Sequence, residues 1–119
     1  MDKINLEEKF SFFNEYWSPR IIGEVNESYV KLAKLKGDFL WHTHENEDEM
    51  FYVLKGELTI KFQEKDVNLH EGECIVIPKG VKHMPVAKEE VHVMLIEPKT
   101  TLNTGNVINE RTIENPKIV

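Results

Sequence analysis

A chain of 119 residues and 13.9 kDa has room for one hydrophobic core, so its function has to sit inside one fold. Charged residues make up 30% and hydrophobic residues 40%, the balance of a folded globular chain; a net charge of −6 without a basic stripe leaves nothing to neutralise phosphates, which excludes nucleic acid as an expected partner. The longest apolar runs, Met50 to Leu54 and Cys74 to Ile77, fall far short of the roughly 20 residues that cross a bilayer, so no membrane partner is expected either.

At the N-terminus, Asp2, Glu7 and Glu8 interrupt any apolar leader, and the segment reads as that of a cytoplasmic chain. Asn5 with Glu8 three positions on resembles a capping box, and Leu6, Phe10 and Phe13 recur at helical spacing, which predicts a short helix over about residues 5 to 16. Trp17-Ser18-Pro19-Arg20 ends it, since proline fixes φ and pushes the preceding residue out of the helical region. The aromatic side chains of Phe10, Phe12, Phe13, Tyr16 and Trp17 are expected to pack on the body of the fold or on a second subunit rather than to bind a ligand.

From Ile21 to Pro98 the chain breaks into short β-rich segments near 21–25, 28–36, 39–44, 50–55, 57–62, 66–69, 74–77, 84–87 and 91–97, separated by turn residues such as Gly37-Asp38, Lys55-Gly56 and Pro78-Lys79-Gly80. The clearest alternation sets Leu58, Ile60 and Phe62 against Glu57, Thr59 and Lys61. Many short strands at this spacing predict an all-β sandwich or barrel. The lone Cys74, inside an apolar run, is expected to be a buried and inert thiol. After Pro98 the chain turns polar and is expected to drape over the barrel or a partner. The organisation is thus an N-terminal helical segment over 1–20, a barrel over 21–98 and a tail over 99–119.

Three of the five histidines and one glutamate carry the chemistry. Residues two apart in a strand share a face with α-carbons roughly 6.6 Å apart, so His42 and His44 can offer two imidazoles to one cation, with Leu40 on their face and Phe39, Trp41 and Thr43 on the other. Glu49 follows a four-residue acidic loop and opens the next strand, where an antiparallel return brings its carboxylate back toward the pair. His83 lies just past the rigid Pro78-Lys79-Gly80 turn, which can aim a fourth ligand at the same point. His70 sits in a polar turn and is expected to be solvated, and His92 alternates with Val91 and Val93 and so points away from the face they bury.

Gly37, His42, His44, Glu49 and Gly56 resemble the first cupin motif, and Gly72, Pro78, Gly80 and His83 resemble the second. Two departures stand out: four residues separate Gly37 from His42 where five are usual in spacing, and Ala87 replaces the Asn that ends the second motif. The stretch Glu97 to Gly105 and the Trp41-His42 start are similar to a bacterial single-domain branch loosely labelled mannose-6-phosphate isomerase-like. The resemblance covers about residues 21 to 98. It implies a cupin double-stranded β-helix, a jelly-roll barrel, preceded by a short helix.

It also implies a divalent transition metal (Mn, Fe, Ni, Co or Zn) held by His42, His44, Glu49 and His83, with open coordination positions for a small-molecule ligand or substrate. Val91, Val93 and Leu95, with Leu40, Phe51, Val53 and Val76, are expected to line an apolar cup around it. Two functions fit: an enzyme of dioxygenase or isomerase type, with no catalytic residue separate from the ligands, or a non-catalytic module that binds a small molecule. A homodimer is expected in either case, since the aromatic N-terminus and the apolar residues of the tail need a surface to cover.

Overall fold

The computed structural model describes residues 1–119. One short helix, α1 (Leu6–Phe10), precedes seven strands: β1 (Arg20–Val25), β2 (Ser28–Asp38), β3 (Glu49–Lys55), β4 (Leu58–Phe62), β5 (Asp66–Leu69), β6 (Cys74–Ile77) and β7 (His83–Pro98). All the strand pairs are antiparallel, in the order β1-β2-β7-β3-β6, with β4 joining β7 to β5. No helix is long and apolar enough to cross a membrane.

β7 is the organising strand. Its first half pairs with β4 from Phe62↔His83 to Thr59↔Val86, its second half pairs with β3 from Lys55↔His92 to Met50↔Ile96, and β2 runs along its other edge from Val86 to Pro98. Between the two halves Lys88, Glu89 and Glu90 are exposed, and the ladders to β2 and β3 shift register at Leu35/Gly37 and Val53/Lys55. An extra residue in a ladder bends the strand and increases its twist, so these two bulges let one strand turn from its pairing with β4 to its pairing with β3. The 84–87 and 91–97 segments, expected as separate strands, are therefore one.

The inward faces of the strands form a single core of 12 buried residues, among them Leu35, Val53, Leu58, Ile60, Val91 and Val93. The alternation Leu58, Ile60 points inward as the sequence predicts. A smaller cluster on the outer face, Phe10, Phe13 and Leu32, fastens the N-terminal segment to β2.

Three expectations need correction. The helix ends at Phe10 rather than near 16, although Asn5 does cap it by accepting from the Glu8 amide at 2.9 Å. Past Ser11 the chain unwinds and Phe13 packs against Leu32, its carbonyl taking the Lys34 ammonium at 2.6 Å. Cys74 is exposed, because in β6 Ile75 and Ile77 turn inward and Cys74 and Val76 outward; Val76, 59% exposed, lines no cup. Finally, 39–44 is not a strand.

That last segment follows the start of β7 but skips a step. The Phe39 amide donates to the Pro85 carbonyl, and His42 and His83 exchange both backbone bonds at 3.0 Å. Three residues on one side thus answer two on the other, and proline has no N–H to complete the ladder. The extra residue breaks the alternation of faces, so Phe39 comes to the same side as His42.

Candidate metal centre

The two motifs meet at the His42–His83 bridge, and the Gly80 amide extends the junction by donating to the His44 carbonyl at 2.8 Å. Glu49, first residue of β3, returns beside them. The ligand atoms of His42, His44, Glu49 and His83 lie within 4.8 Å of one another, and all four residues are buried. The four residues singled out in the sequence are thus brought together, although His42 and His44 reach the site from a bridge and a loop rather than from a regular strand.

Hydrogen bonding fixes which ring nitrogens face inward. A carbonyl can only accept, so His42 Nδ1, 2.9 Å from the Leu40 carbonyl, and His83 Nδ1, 2.9 Å from the Val81 carbonyl, each carry a hydrogen and leave Nε2 with its lone pair free. His83 Nε2 stands 3.3 Å and His44 Nε2 3.5 Å from Glu49 Oε1. Both nitrogens of His44, Nε2 of His83 and Oε1 of Glu49 are buried without a hydrogen-bond partner. Unpartnered buried polar atoms are costly. With one ligand atom from each residue within 4.8 Å of the others, this is the chemistry of a group that could hold a metal ion.

The protonation pattern fits that group. Burial, reinforced by the neighbouring His83, lowers His42 to about 4, so its ring is neutral at physiological pH. Burial alone would push Glu49 up; its contacts with His44, His83 and Glu97 outweigh this and hold the carboxyl well below the usual range. A neutral His42 ring and an ionised Glu49 are the forms a cation binds.

One functional group escaped the sequence reading. Glu97, in the last turn of the alternation on β7, is buried beside Glu49, with the Lys31 ammonium 2.9 Å from its Oε1. Burial and the adjacent Glu49 charge push Glu97 well above the usual carboxylate range against the pull of Lys31, so the two neighbouring carboxyls are driven in opposite directions. A signal was available: Val91, Val93 and Leu95 point inward, and the same period of two places Glu97 inward as well. An acid at such a position is rarely solvated.

The cup above the centre is small, about 30 Å³, room for a few water molecules. Phe51 and Leu95 line it as expected, but Leu40 does not, and Val53, Val91 and Val93 are packed into the core instead; Phe39 and Trp17 do line it. Trp17 stacks on Phe39 with ring centroids 4.8 Å apart and holds a left-handed backbone, φ 58°, secured by its indole N–H on the Lys36 carbonyl at 2.8 Å. A bulky residue there is strained, and such strain gathers at functional sites. Trp17 packs on the core as expected and also lines the cup. His70 is exposed and His92 lies on the outer face, stacked on Phe10 at 4.3 Å, both as expected.

The cupin domain model matches residues 28–98. This chain belongs to the cupin family. Among solved structures, a cupin-2 domain containing protein from Shewanella frigidimarina superposes with a TM-score of 0.79 at 52% identity, covering 80% of this cupin and 93% of that chain. Protein YdbB of Bacillus subtilis is 44% identical over 63 residues, 52% of this cupin and 56% of YdbB. More distant are two 3-hydroxyanthranilate 3,4-dioxygenases. The one from Danio rerio is 31% identical over 78 residues (62% of this cupin, 26% of the enzyme), and the one from Ruegeria pomeroyi is 37% identical over 57 residues (44% and 32%). The cupin thus spans about half the length of YdbB and a third or less of the dioxygenases.

Proposed function

We propose that this cupin is a metal-dependent small-molecule enzyme of dioxygenase or isomerase type, with a divalent transition metal on His42, His44, Glu49 and His83. The observation that carries the reading is the set of buried, unpartnered nitrogen and oxygen atoms aimed at one point. Mixed nitrogen and oxygen ligation without sulfur suits Mn, Fe, Co, Ni or Zn, and affinity alone does not choose between them. A metal held there by His42, His44, Glu49 and His83 would supply Lewis-acid or O₂ chemistry to a substrate. The dioxygenase names among the relatives support the first type.

The chain's own residues supply the rest. Phe39, Phe51, Leu95 and Trp17 exclude bulk water, and Glu97 places a second buried carboxyl in the lining beside Glu49. No lysine or arginine lines the cup, and the nearby Lys31 ammonium is committed to Glu97. A sugar phosphate therefore finds no counter-charge, which makes phosphosugar isomerisation the poorer choice. We further propose a homodimer, supported by apolar side chains left in solvent: Phe12 is 58%, Val76 59% and Ile108 68% exposed. Light scattering at micromolar concentration should give twice the chain mass.

The test of function is a screen of Fe-, Mn-, Co-, Ni- and Zn-loaded protein against catechols, diketones, hydroxy acids and sugar phosphates, with O₂ uptake and product formation followed. Turnover confined to one metal is expected. Tight binding without turnover under every metal would make the protein a binding module instead.

A further inference from the structure

The segment between His42 and His44 has two sides. The backbone groups of His42 and His44 turn toward the second motif, where His83 and Gly80 take them. Thr43, between them, turns the other way, and both of its backbone groups are taken by one residue of the tail, far outside the span the cupin model matches. The Asn106 side-chain Oδ1 accepts from the Thr43 amide at 2.8 Å, and the Asn106 amide donates to the Thr43 carbonyl at 2.9 Å.

The neighbouring Gly105 makes this approach possible. A Cβ there would sit 2.4 Å from the Thr43 carbonyl oxygen and 3.1 Å from Cδ2 of His42, and its backbone has φ +56°. No other residue fits without moving the histidine segment. The tail is itself a built structure. Asn103 ties it across to Arg111 and Ile113 through bonds of 2.9 and 2.8 Å, and the fully buried Thr104 shares a 2.6 Å hydroxyl bond with Thr112. It grips the same loop again where the Thr100 hydroxyl donates to Glu47 at 2.9 Å.

We propose that the C-terminal tail is part of the metal centre, with Asn106 a positioning residue that holds His42 and His44 in register by clamping Thr43 from the side opposite the second motif. The proposal rests on the metal reading above. Residues 39–44 have no regular strand to hold them, and a binding site tolerates displacements of only about 0.5 Å in its ligands. The tail provides the missing edge.

The test uses the full-length chain loaded with Co²⁺, whose visible spectrum reports ligand geometry. Affinity is measured by competition with a chelator and stability by thermal melting. Asn106→Ala should weaken Co²⁺ binding about 10-fold or more and alter the visible band, the range typical of outer-shell partners. Asn106→Asp, which keeps the acceptor, should restore both. Thr59→Ala, which removes an exposed 2.6 Å bond to Asn68 on the far hairpin, should leave affinity and spectrum as they are. A purely structural role for the tail would lower the melting temperature of Asn106→Ala and leave its affinity and spectrum unchanged, which overturns the proposal, as would an Asp variant no better than Ala.

Hydrogen exchange on the unaltered chain provides a second measurement that needs no variant. Coupling is reciprocal, so Co²⁺ should slow exchange at the Thr43 and Asn106 amides together and not at Asn68. Unchanged exchange at Asn106 in a metal-loaded protein refutes the clamp alone. A wild-type chain that takes up no Co²⁺ refutes the metal reading, and the clamp with it.

Discussion

His42 and His83 each give one ring nitrogen to a carbonyl two residues back, and this small local bond decides that the other nitrogen faces the centre. Replacing either with alanine should abolish stoichiometric metal uptake, read by elemental analysis, whereas His70→Ala, on an exposed turn, should retain about one ion per chain; equal retention in all three would overturn the ligand assignment. The Lys31–Glu97 pair allows a second test. Both side chains are at most 2% exposed, so Lys31→Met leaves two carboxyl groups sharing a buried site with no cation against them. Leaving a buried polar group without its hydrogen-bond partner costs about 1–3 kcal/mol, and denaturant unfolding should register a loss of that order. At this scale the four-residue cluster was legible, because four chemically unusual residues sat in two motifs. Glu97 and Lys31 were not, because each looks like an ordinary surface charge until the alternation along its strand is followed to the end.

Among the elements, α1 is the clearest case of tertiary support. Five residues cannot hold a helix in water, and this one is kept by Phe10 stacking on His92 and by the contact of Tyr16 with the exposed bend of β7. There the Tyr16 hydroxyl donates to Glu90 Oε1 at 2.7 Å and His92 Nε2 lies 2.6 Å from Glu90 Oε2. Tyr16 first, and then His92, hold the Glu90 carboxyl below its ordinary value of 4.5. A lowered folded value means that the contact stabilises the chain fully above pH 4.5 and loses its effect as pH falls through the folded value. Glu90→Gln should therefore be less stable than wild type near neutral pH, with the difference shrinking through the acid limb; melting curves at a series of pH values would read it, and a gap that widens toward low pH would contradict the assignment. The sequence carried the helix start, in Asn5, and the period of Leu6, Phe10 and Phe13, but not its end. What stops the helix is the docking of Phe13 against Leu32, a contact made across the fold. The segment 39–44 was misread for a related reason: one extra residue against Pro85 reverses the faces, and no local pattern announces a bulge.

For the whole molecule, the barrel was legible because period-two alternation and turn residues survive in a single sequence. The merger of two segments into β7 was not, since the bend at Lys88–Glu90 looks like a loop when its two bulged partners are unseen. That merger matters for the site. His83 is the first residue of β7 and Glu97 the one before its last, and the strand is paired with β2, β3 and β4 along its course. The centre can therefore assemble only when the barrel has closed, and the barrel closes through apolar contacts and backbone pairing in which no cation takes part. Unlike small domains that are unfolded until metal arrives, this chain should keep its far-UV circular dichroism after exhaustive chelation, while its melting temperature climbs with added metal, by the equivalent of about 2.7 kcal/mol at a hundred times the dissociation constant. A collapse of the spectrum on chelation would contradict this. An architecture that stands without an ion could exchange one metal for another while folded, so the choice of ion would follow supply, with no need to remake the protein around each one.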